Sequence, residues 1–419
     1  MSGDERESGT YYRRGLGLKA EIKPALQAEY GSALVEAMKA SDFVLRAGRF
    51  TFRMARSLGF CYGVDRAVEY AYETCRKFPD RRVFLVGEII HNPLVNGRLR
   101  EMGVRFLYPD GDGRFDFSPV RRDDVVLLPA FGVAIDAFEE LRALGCILVD
   151  TTCGSVLHVW KRVEGYARDG FTALIHGKYR HEETRATSSQ VLRHPDGRYI
   201  VVRDYEETGL VCGFIRGEVS ADVIRTRFAD RVSEGFDPER DLARIGVANQ
   251  TTMLASESLE VARRVGEALR DRWGDEELPD RFRSFDTICS ATQDRQDAVA
   301  ELMRDPPDLM VVVGGYNSSN TTNLAAICAR HTRTFHIETD RSIDPKRGAI
   351  SHRRVADGEV VEEEAWLPAE GDLAIGLTAG ASTPDSLIGR TVERILRTEG
   401  EDPEALLGEV AAARQVSSA

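Results

Sequence analysis

Between Val64 and Phe78 the apolar side chains fall at Val64, Ala67, Val68, Ala71, Tyr72, Cys75 and Phe78. This is the spacing of one helix face, and it predicts an amphipathic helix. The preceding stretch, "FTFRMARSLGF" (50–60), begins with the alternation of a half-buried strand. Short apolar runs of the buried-strand type then recur: "RVFLVGEII" (82–90), "DVVLLPAFG" (124–132), "CILVDTTC" (146–153), "FTALIHG" (171–177) and "RYIVVRD" (198–204). They continue with "RIGVANQTTM" (244–253), "SFDTIC" (284–289), "LMVVVGGYNSSN" (309–320) and the start of "DLAIGLTAGASTPDSLIGRTVERIL" (372–396). Helical patterns lie between them, among them "NGRLREMGV", closed by Gly103, "AIDAFEELRALG" and "ATQDRQDAVAELM". Strand, polar loop, helix, repeated many times, predicts parallel α/β sheets. In such sheets ligands bind at the carboxyl ends of the strands.

The organisation expected from this pattern is an N-terminal extension (1–48), three α/β domains (49–152, 153–288 and 289–397) and a tail (398–419). Within the extension, residues 1–15 read as loosely ordered and 16–48 as helical, although Leu34, Val35, Met38, Phe43 and Val44 are only roughly helix-spaced. "KRGAISHRR" (346–354) and "EVVEEEAW" (359–366) read as solvated loops.

Three cysteines share one setting. Cys61 in "GFCYGV", Cys153 in "DTTCGSV" and Cys289 in "DTICSAT" each stand where a strand gives way to a helix. A helix N-terminus carries partial positive charge and free N–H groups, which stabilise a thiolate. Cys75, Cys146, Cys212 and Cys328 read instead as core filler. A structural zinc site closes with four protein ligands, whereas a three-thiolate iron–sulfur cluster leaves one iron open. On the residues alone, a cluster, a zinc site and no joint site all stand.

Polar side chains gather at other strand ends: His91, His181, Gln250, Thr251, Thr252, Asn317, Ser318, Ser319, Asn320, Ser382 and Thr383. Hydroxyls, amides and imidazoles beside helix N-termini suit a diphosphate, and helix capping is the plainer use of each loop. Neither GxxxxGK[ST] nor GxGxxG opens a helix, so nucleotide binding has little support. Glu183, between a histidine and a threonine, is a candidate proton donor.

Composition narrows the classes. The chain has 419 residues, 42% hydrophobic and 30% charged, with a formal net charge of −12. No dense basic run answers to a phosphate backbone, which argues against nucleic acid as a partner. No apolar stretch approaches the ~20 residues that span a bilayer, and the polar N-terminus lacks a signal core. A cytoplasmic protein with no membrane partner is expected, and its odd cysteine count, seven, argues against a disulfide framework.

Together the motifs "GFCYGVDRAV", "GEIIHNPLVNGRLREMGV", "VDTTCGSV", "IHGKYRHEETRATSSQ", "GVANQTTMLASES", "FDTICSATQDRQDAV", "VVVGGYNSSNTTNL" and "GLTAGASTPDSLI" resemble the 4-hydroxy-3-methylbut-2-enyl diphosphate reductase family, in its long, cyanobacterial and plastid form. The resemblance implies three α/β domains in a trefoil around one [4Fe–4S] cluster, with Cys61, Cys153 and Cys289 as ligands. It implies a diphosphate bound by His91, His181, Ser318, Asn320 and Ser382, with Ser319 adjoining. Glu183 matches the proton relay and Thr251 a threonine near the substrate's hydroxymethyl end. The implied reaction is reductive dehydroxylation to isopentenyl and dimethylallyl diphosphate, with ferredoxin or flavodoxin as electron donor. The arginine pairs 13–14, 81–82 and 121–122 are candidates for steering such an acidic donor. Two departures stand out: Phe131 where shorter members carry a histidine, and Gly154 where proline is usual. A zinc hydrolase using the same cysteines, or a non-catalytic diphosphate-binding protein, are the competing readings.

Overall fold

The computed structural model describes residues 11–285 and 287–405. In chain order, β1 (Tyr11–Tyr12) is followed by α1 (Lys19–Tyr30), α2 (Ala33–Ala40), β2 (Val44–Ala47), β3 (Phe50–Met54) and α3 (Tyr62–Lys77). Next come β4 (Val83–Val86), α4 (Pro93–Glu101), β5 (Arg105–Leu107), β6 (Val125–Leu128), α5 (Ile135–Leu144), β7 (Ile147–Asp150) and α6 (Gly154–Arg168). The middle of the chain forms β8 (Thr172–His176), α7 (Glu182–Val191), β9 (Tyr199–Val202), α8 (Tyr205–Arg216), α9 (Ala221–Arg227), α10 (Pro238–Asp241), β10 (Ile245–Asn249) and α11 (Ala255–Trp273). After α12 (Leu278–Arg281) and β11 (Phe282–Ser284) come α13 (Ser290–Leu302), β12 (Leu309–Val313), α14 (Ser319–Cys328) and β13 (Arg333–Ile337). The chain closes with β14 (Ile343–Asp344), β15 (Ala349–Arg353), β16 (Val360–Glu364), β17 (Leu373–Ala379) and α15 (Asp385–Thr398).

Two compact units result. The first takes Met1–Leu16, Thr74–Ile89 and Arg100–Cys289, and the second Gly17–Glu73, Ile90–Leu99 and Ser290–Ala419. The first holds two all-parallel sheets, in the orders β1-β7-β6-β4-β5 and β11-β10-β8-β9. Their central strands are buried on both faces, as a sheet covered by helices requires: β6 reads Val-Val-Leu-Leu and β8 Thr-Ala-Leu-Ile-His, with every residue buried.

The second unit holds a mixed sheet, β14-β15-β13-β12-β17-β3-β2, with β16 paired to β15. Its centre, β13-β12-β17-β3, is parallel; its edges are antiparallel. Parallel α/β architecture therefore describes three sheets, the third with antiparallel margins. Leu34, Val35 and Met38 of α2 pack with Phe50, Phe52, Leu377 and Ile388 in its core.

Several expectations change. The strand at 50–54 pairs with β17, some 320 residues along, so the second unit takes it rather than the first α/β segment. The helical extension is no appendage: α2 and β2 build the second unit's core. Tyr11–Tyr12 adds a strand beside β7 within the segment expected to be loose, while residues 1–10 lie outside the described ones. "SFDTIC" is strand only to Ser284. The two expected loops form β15 and β16; the glutamates of β16 blunt an edge strand, and Trp366 after it is fully buried. Of the tail, residues 406–419 lie outside the described ones.

Candidate active site

In the first unit, parallel pairing sets the ends of β8, β10 and β11 side by side. The loop after β8 runs to α7, whose cap is His181: its Nδ1 accepts the Glu183 N–H at 3.1 Å. Glu183, on the first turn of α7, is buried. Its Oε1 accepts the N–H of Thr251, just past β10, at 2.6 Å. The Thr251 carbonyl in turn faces the Cys289 N–H at 3.5 Å. Thr287 and Asn249 are joined side chain to side chain, and the Thr287 hydroxyl also accepts the Asn249 N–H at 3.1 Å, which fixes the chain leading to Cys289. Gln250 Oε1 accepts from Lys178 N at 3.1 Å and from the Thr184 hydroxyl at 3.2 Å, locking the β8 loop to the β10 loop. One carboxylate, one threonine and one cysteine thus come together, although they lie at 183, 251 and 289 in the chain.

Cys153 reaches the same region from the other sheet. It follows β7 and heads α6 with extended backbone (φ −63°, ψ 143°), its N–H bonded to the Ala130 carbonyl at 2.8 Å. On the first turn of α6, the Ser155 hydroxyl donates to Cys289 Sγ at 3.3 Å. The Cys153 helix start and Cys289 are therefore neighbours within this unit. Gly154, the first residue of α6, has open space where a Cβ would be, and the extended backbone of Cys153 is what a following proline needs. Its departure from proline leaves the helix start intact. Phe131 is buried with its ring edge-on to the His181 ring, centroids 6.2 Å apart. An apolar ring here contributes packing and no hydrogen bond.

In the second unit the ends of β12, β17 and β3 lie together. After β12, Gly314 and Gly315 lead to Ser318, which caps α14 by accepting the Thr321 N–H at 3.4 Å. Ser319 and Asn320 are buried on the first turn of that helix. Asn320 Oδ1 accepts the Ala381 N–H at 3.0 Å, which orients the amide. Its Nδ2 is buried with no hydrogen-bond partner among the described residues. The Ser382 hydroxyl donates to the His91 carbonyl at 3.2 Å, and Asn317 Nδ2 lies 3.3 Å from His91 Nδ1. Ala381 also accepts the Cys61 N–H at 3.1 Å. Cys61 thus sits at the start of α3 beside the same loops, and it lines a groove of about 480 Å³ with Tyr62, Lys19, Lys23, Lys39 and Asp385.

None of the seven cysteines is in a disulfide, and they fall in two groups. Burial pushes the thiols of Cys75, Cys146 and Cys212 up to about 11 and that of Cys328 to about 12, which keeps them protonated and inert. Cys61, Cys153 and Cys289 are half-buried, each directly ahead of a helix that follows a parallel strand. Cys61 in the second unit, and Cys153 and Cys289 in the first, each offer a half-buried thiol at a helix start, the donor chemistry of iron–sulfur ligation. The unsatisfied amide of Asn320 fits an anionic oxygen.

Sequence reading missed Arg295, which it left inside a helix, and His336. Arg295 is buried, with Nη2 on the Gly59 carbonyl at 2.6 Å. His336 is buried on β13, with Nε2 3.0 Å from the Gly314 carbonyl, and burial pushes its pKa down to about 4. A neutral ring so placed donates from Nε2 and pins the loop that carries Ser318–Asn320. A charged residue inside an otherwise ordinary helix and a histidine inside a strand gave no local signal. Of the arginine pairs, Arg82 binds Asp124 at 2.6 Å and Arg13 lies 3.9 Å from Asp150, so one guanidinium in each of these two pairs faces a carboxylate.

The LytB protein family pattern matches residues 52–396. A 4-hydroxy-3-methylbut-2-enyl diphosphate reductase of Gloeobacter violaceus is 45% identical over 409 residues, covering 96% of each chain. One from Synechococcus sp. RCC307 is 47% identical over 392 residues, covering 93% of this chain and 94% of its own. A solved structure of (E)-4-hydroxy-3-methyl-but-2-enyl diphosphate reductase, described as the terminal enzyme of the non-mevalonate pathway, shares 28% identity. It covers 82% of this chain and 98% of its own, with a TM-score of 0.50. The corresponding Plasmodium falciparum structure has a TM-score of 0.59 at 20% identity, covering 82% of this chain and 87% of its own, and shows the fold alone. Among the described residues, no helix is long and apolar enough to cross a membrane.

Proposed function

Since the chain belongs to the LytB protein family, we propose that it reduces 4-hydroxy-3-methylbut-2-enyl diphosphate, using a [4Fe–4S] cluster held by Cys61, Cys153 and Cys289. The balance is substrate, two electrons and two protons in, and isopentenyl or dimethylallyl diphosphate and one water out. The observation that carries the reading is the run from buried Glu183 through Thr251 to Cys289, which joins a proton donor to a thiol.

When bound, the cluster supplies the electrons and a Lewis-acid iron for the leaving hydroxyl. The protein's own residues do the rest. Ser318, Ser319, Ser382 and Asn320 hold the diphosphate, aided by the N–H groups at the start of α14. With Nδ1 of His181 accepting the Glu183 N–H and Nδ1 of His91 facing Asn317, each ring carries its proton on Nε2 and donates from there to phosphate oxygen. Thr251 stands near the hydroxymethyl end of the substrate. Glu183, with Oε1 occupied by the Thr251 N–H, holds the transferable proton on Oε2. Fixing the diphosphate at one end orients the C–O bond for cleavage at the other. Phe131 packs edge-on against the His181 ring on that flank.

The electron donor is a small one-electron carrier of the ferredoxin or flavodoxin class, and the enzyme works in the cytoplasm. The test is anaerobic reconstitution followed by assay with dithionite and methyl viologen. Brown protein that yields both isomeric diphosphates supports the proposal. Colourless, zinc-loaded protein that keeps its function in air contradicts it, as does ligand binding without turnover.

A further inference from the structure

We propose that Arg295 is a positioning residue for Cys61: its guanidinium clamps the Gly59 carbonyl and so holds the turn that presents the thiol. The inference rests on Cys61 being a ligand, as proposed above. Arg295 lies on α13, the helix that starts one residue after Cys289, and is 4% exposed. Its Nη2 donates to the Gly59 carbonyl at 2.6 Å and its Nη1 to the Ala291 carbonyl at 2.7 Å. One planar fork thus bonds the backbone of its own helix and the backbone two residues ahead of Cys61. Lysine cannot reproduce that geometry, because its ammonium is a point charge without a fixed fork.

The Gly59 turn needs an outside hold. Gly59 has φ +81°, a conformation that L side chains rarely adopt, and a Cβ there would lie 2.5 Å from Asp385 Oδ1. The Cys61 N–H donates to the Ala381 carbonyl at 3.1 Å. The two anchors on either side of Phe60 together fix the direction in which the thiol leaves the backbone. Burying a guanidinium is costly unless its N–H groups are hydrogen-bonded, and both terminal nitrogens of Arg295 are, to main-chain carbonyls. Groups behind a metal ligand that orient it typically change metal retention about 10–100-fold when removed.

The test uses reconstituted holoenzyme under anaerobic conditions, with Arg295→Gln, Arg295→Lys and, as a packing control in the same helix, Val299→Ala. Val299 is fully buried in the core cluster with Leu302, Met303 and Leu324. The readouts are the rate at which a ferrous-iron chelator bleaches the cluster and the electron paramagnetic resonance spectrum of the reduced cluster. Arg295→Gln is expected to bleach ~10-fold faster with an altered spectrum. Arg295→Lys should fall between it and the parent, and Val299→Ala should keep the parent's spectrum and rate. If Arg295→Gln does not fold, Arg295→Lys carries the comparison. Parent-like bleaching and spectrum in the Arg295 variants, or equal acceleration in Val299→Ala, overturns the proposal. Failure of the parent to take up iron would instead refute the cluster reading itself.

Discussion

The strand ends of the first unit and those of the second are built from different chemistry. The first brings together a buried carboxylate, a threonine and two half-buried thiols: Glu183, Thr251, Cys153 and Cys289. In the second, the loops 314–321 and 380–384 contain no acidic side chain, only glycines, hydroxyls, amides, an alanine, a tyrosine and a proline. Neutral donors hold an anion without repelling it, while a carboxylate can carry a proton. The contrast fits the proposed roles of a proton held by Glu183 in the first unit and neutral anion donors at Ser318–Asn320 in the second. Each unit also places a buried neutral histidine behind its site: His176 at the end of β8, bonded to Ser258 at 2.9 Å, and His336 on β13.

The sharpest way to break this division is Glu183→Gln. Glutamine keeps an acceptor for the Thr251 N–H but cannot give up a carboxyl proton. Turnover should fall about 10²–10⁴-fold with KM nearly unchanged. A large rise in KM with little loss of kcat would instead place Glu183 in binding.

The histidines test what the two units share. Burial pushes both His176 and His336 down to about 4, from an ordinary value near 6.5. Below pH 6.5 the unfolded chain takes up protons that the folded chain refuses until about pH 4. Stability is therefore intact above pH 6.5 and declines as pH falls from there to 4, by roughly 2–4 kcal/mol for each histidine. Urea unfolding of the parent and of His336→Gln across that window checks it. The variant should lose less stability on acidification than the parent.

A smaller effect is expected from Asn320→Asp. The aspartate retains the acceptor for the Ala381 N–H, but it removes the buried donor and adds a negative charge. KM for the diphosphate substrate should rise about 10–100-fold, with kcat changed far less. A kcat loss at constant KM would move Asn320 out of the binding role.

Much of this was legible in the sequence because it is local. Apolar runs ending in cysteine marked β7 with Cys153, and helical spacing from Val64 marked α3 behind Cys61. Serine and asparagine after "LMVVV" marked the capped start of α14. What escaped depends on distant pairing. Nothing near residue 50 says that β3 joins β17, and helical spacing alone does not show that α2 completes a core. "EVVEEEAW" looks solvated because an edge strand exposes one face to water; its pairing with β15 and the burial of Trp366 are decided elsewhere. Arg295 and His336 were invisible for the same reason. Their partners are main-chain carbonyls, which leave no trace in the residue types around them.

The central claim is that three junction cysteines serve one cluster and the other four do not. Iron content and Mössbauer spectra of anaerobically reconstituted parent, Cys61→Ser, Cys153→Ser, Cys289→Ser and Cys212→Ser test it most directly. The account predicts about four irons per chain in the parent and in Cys212→Ser, and a lost or degraded cluster in each of the other three. A full, parent-like cluster in any one of those three variants would contradict it.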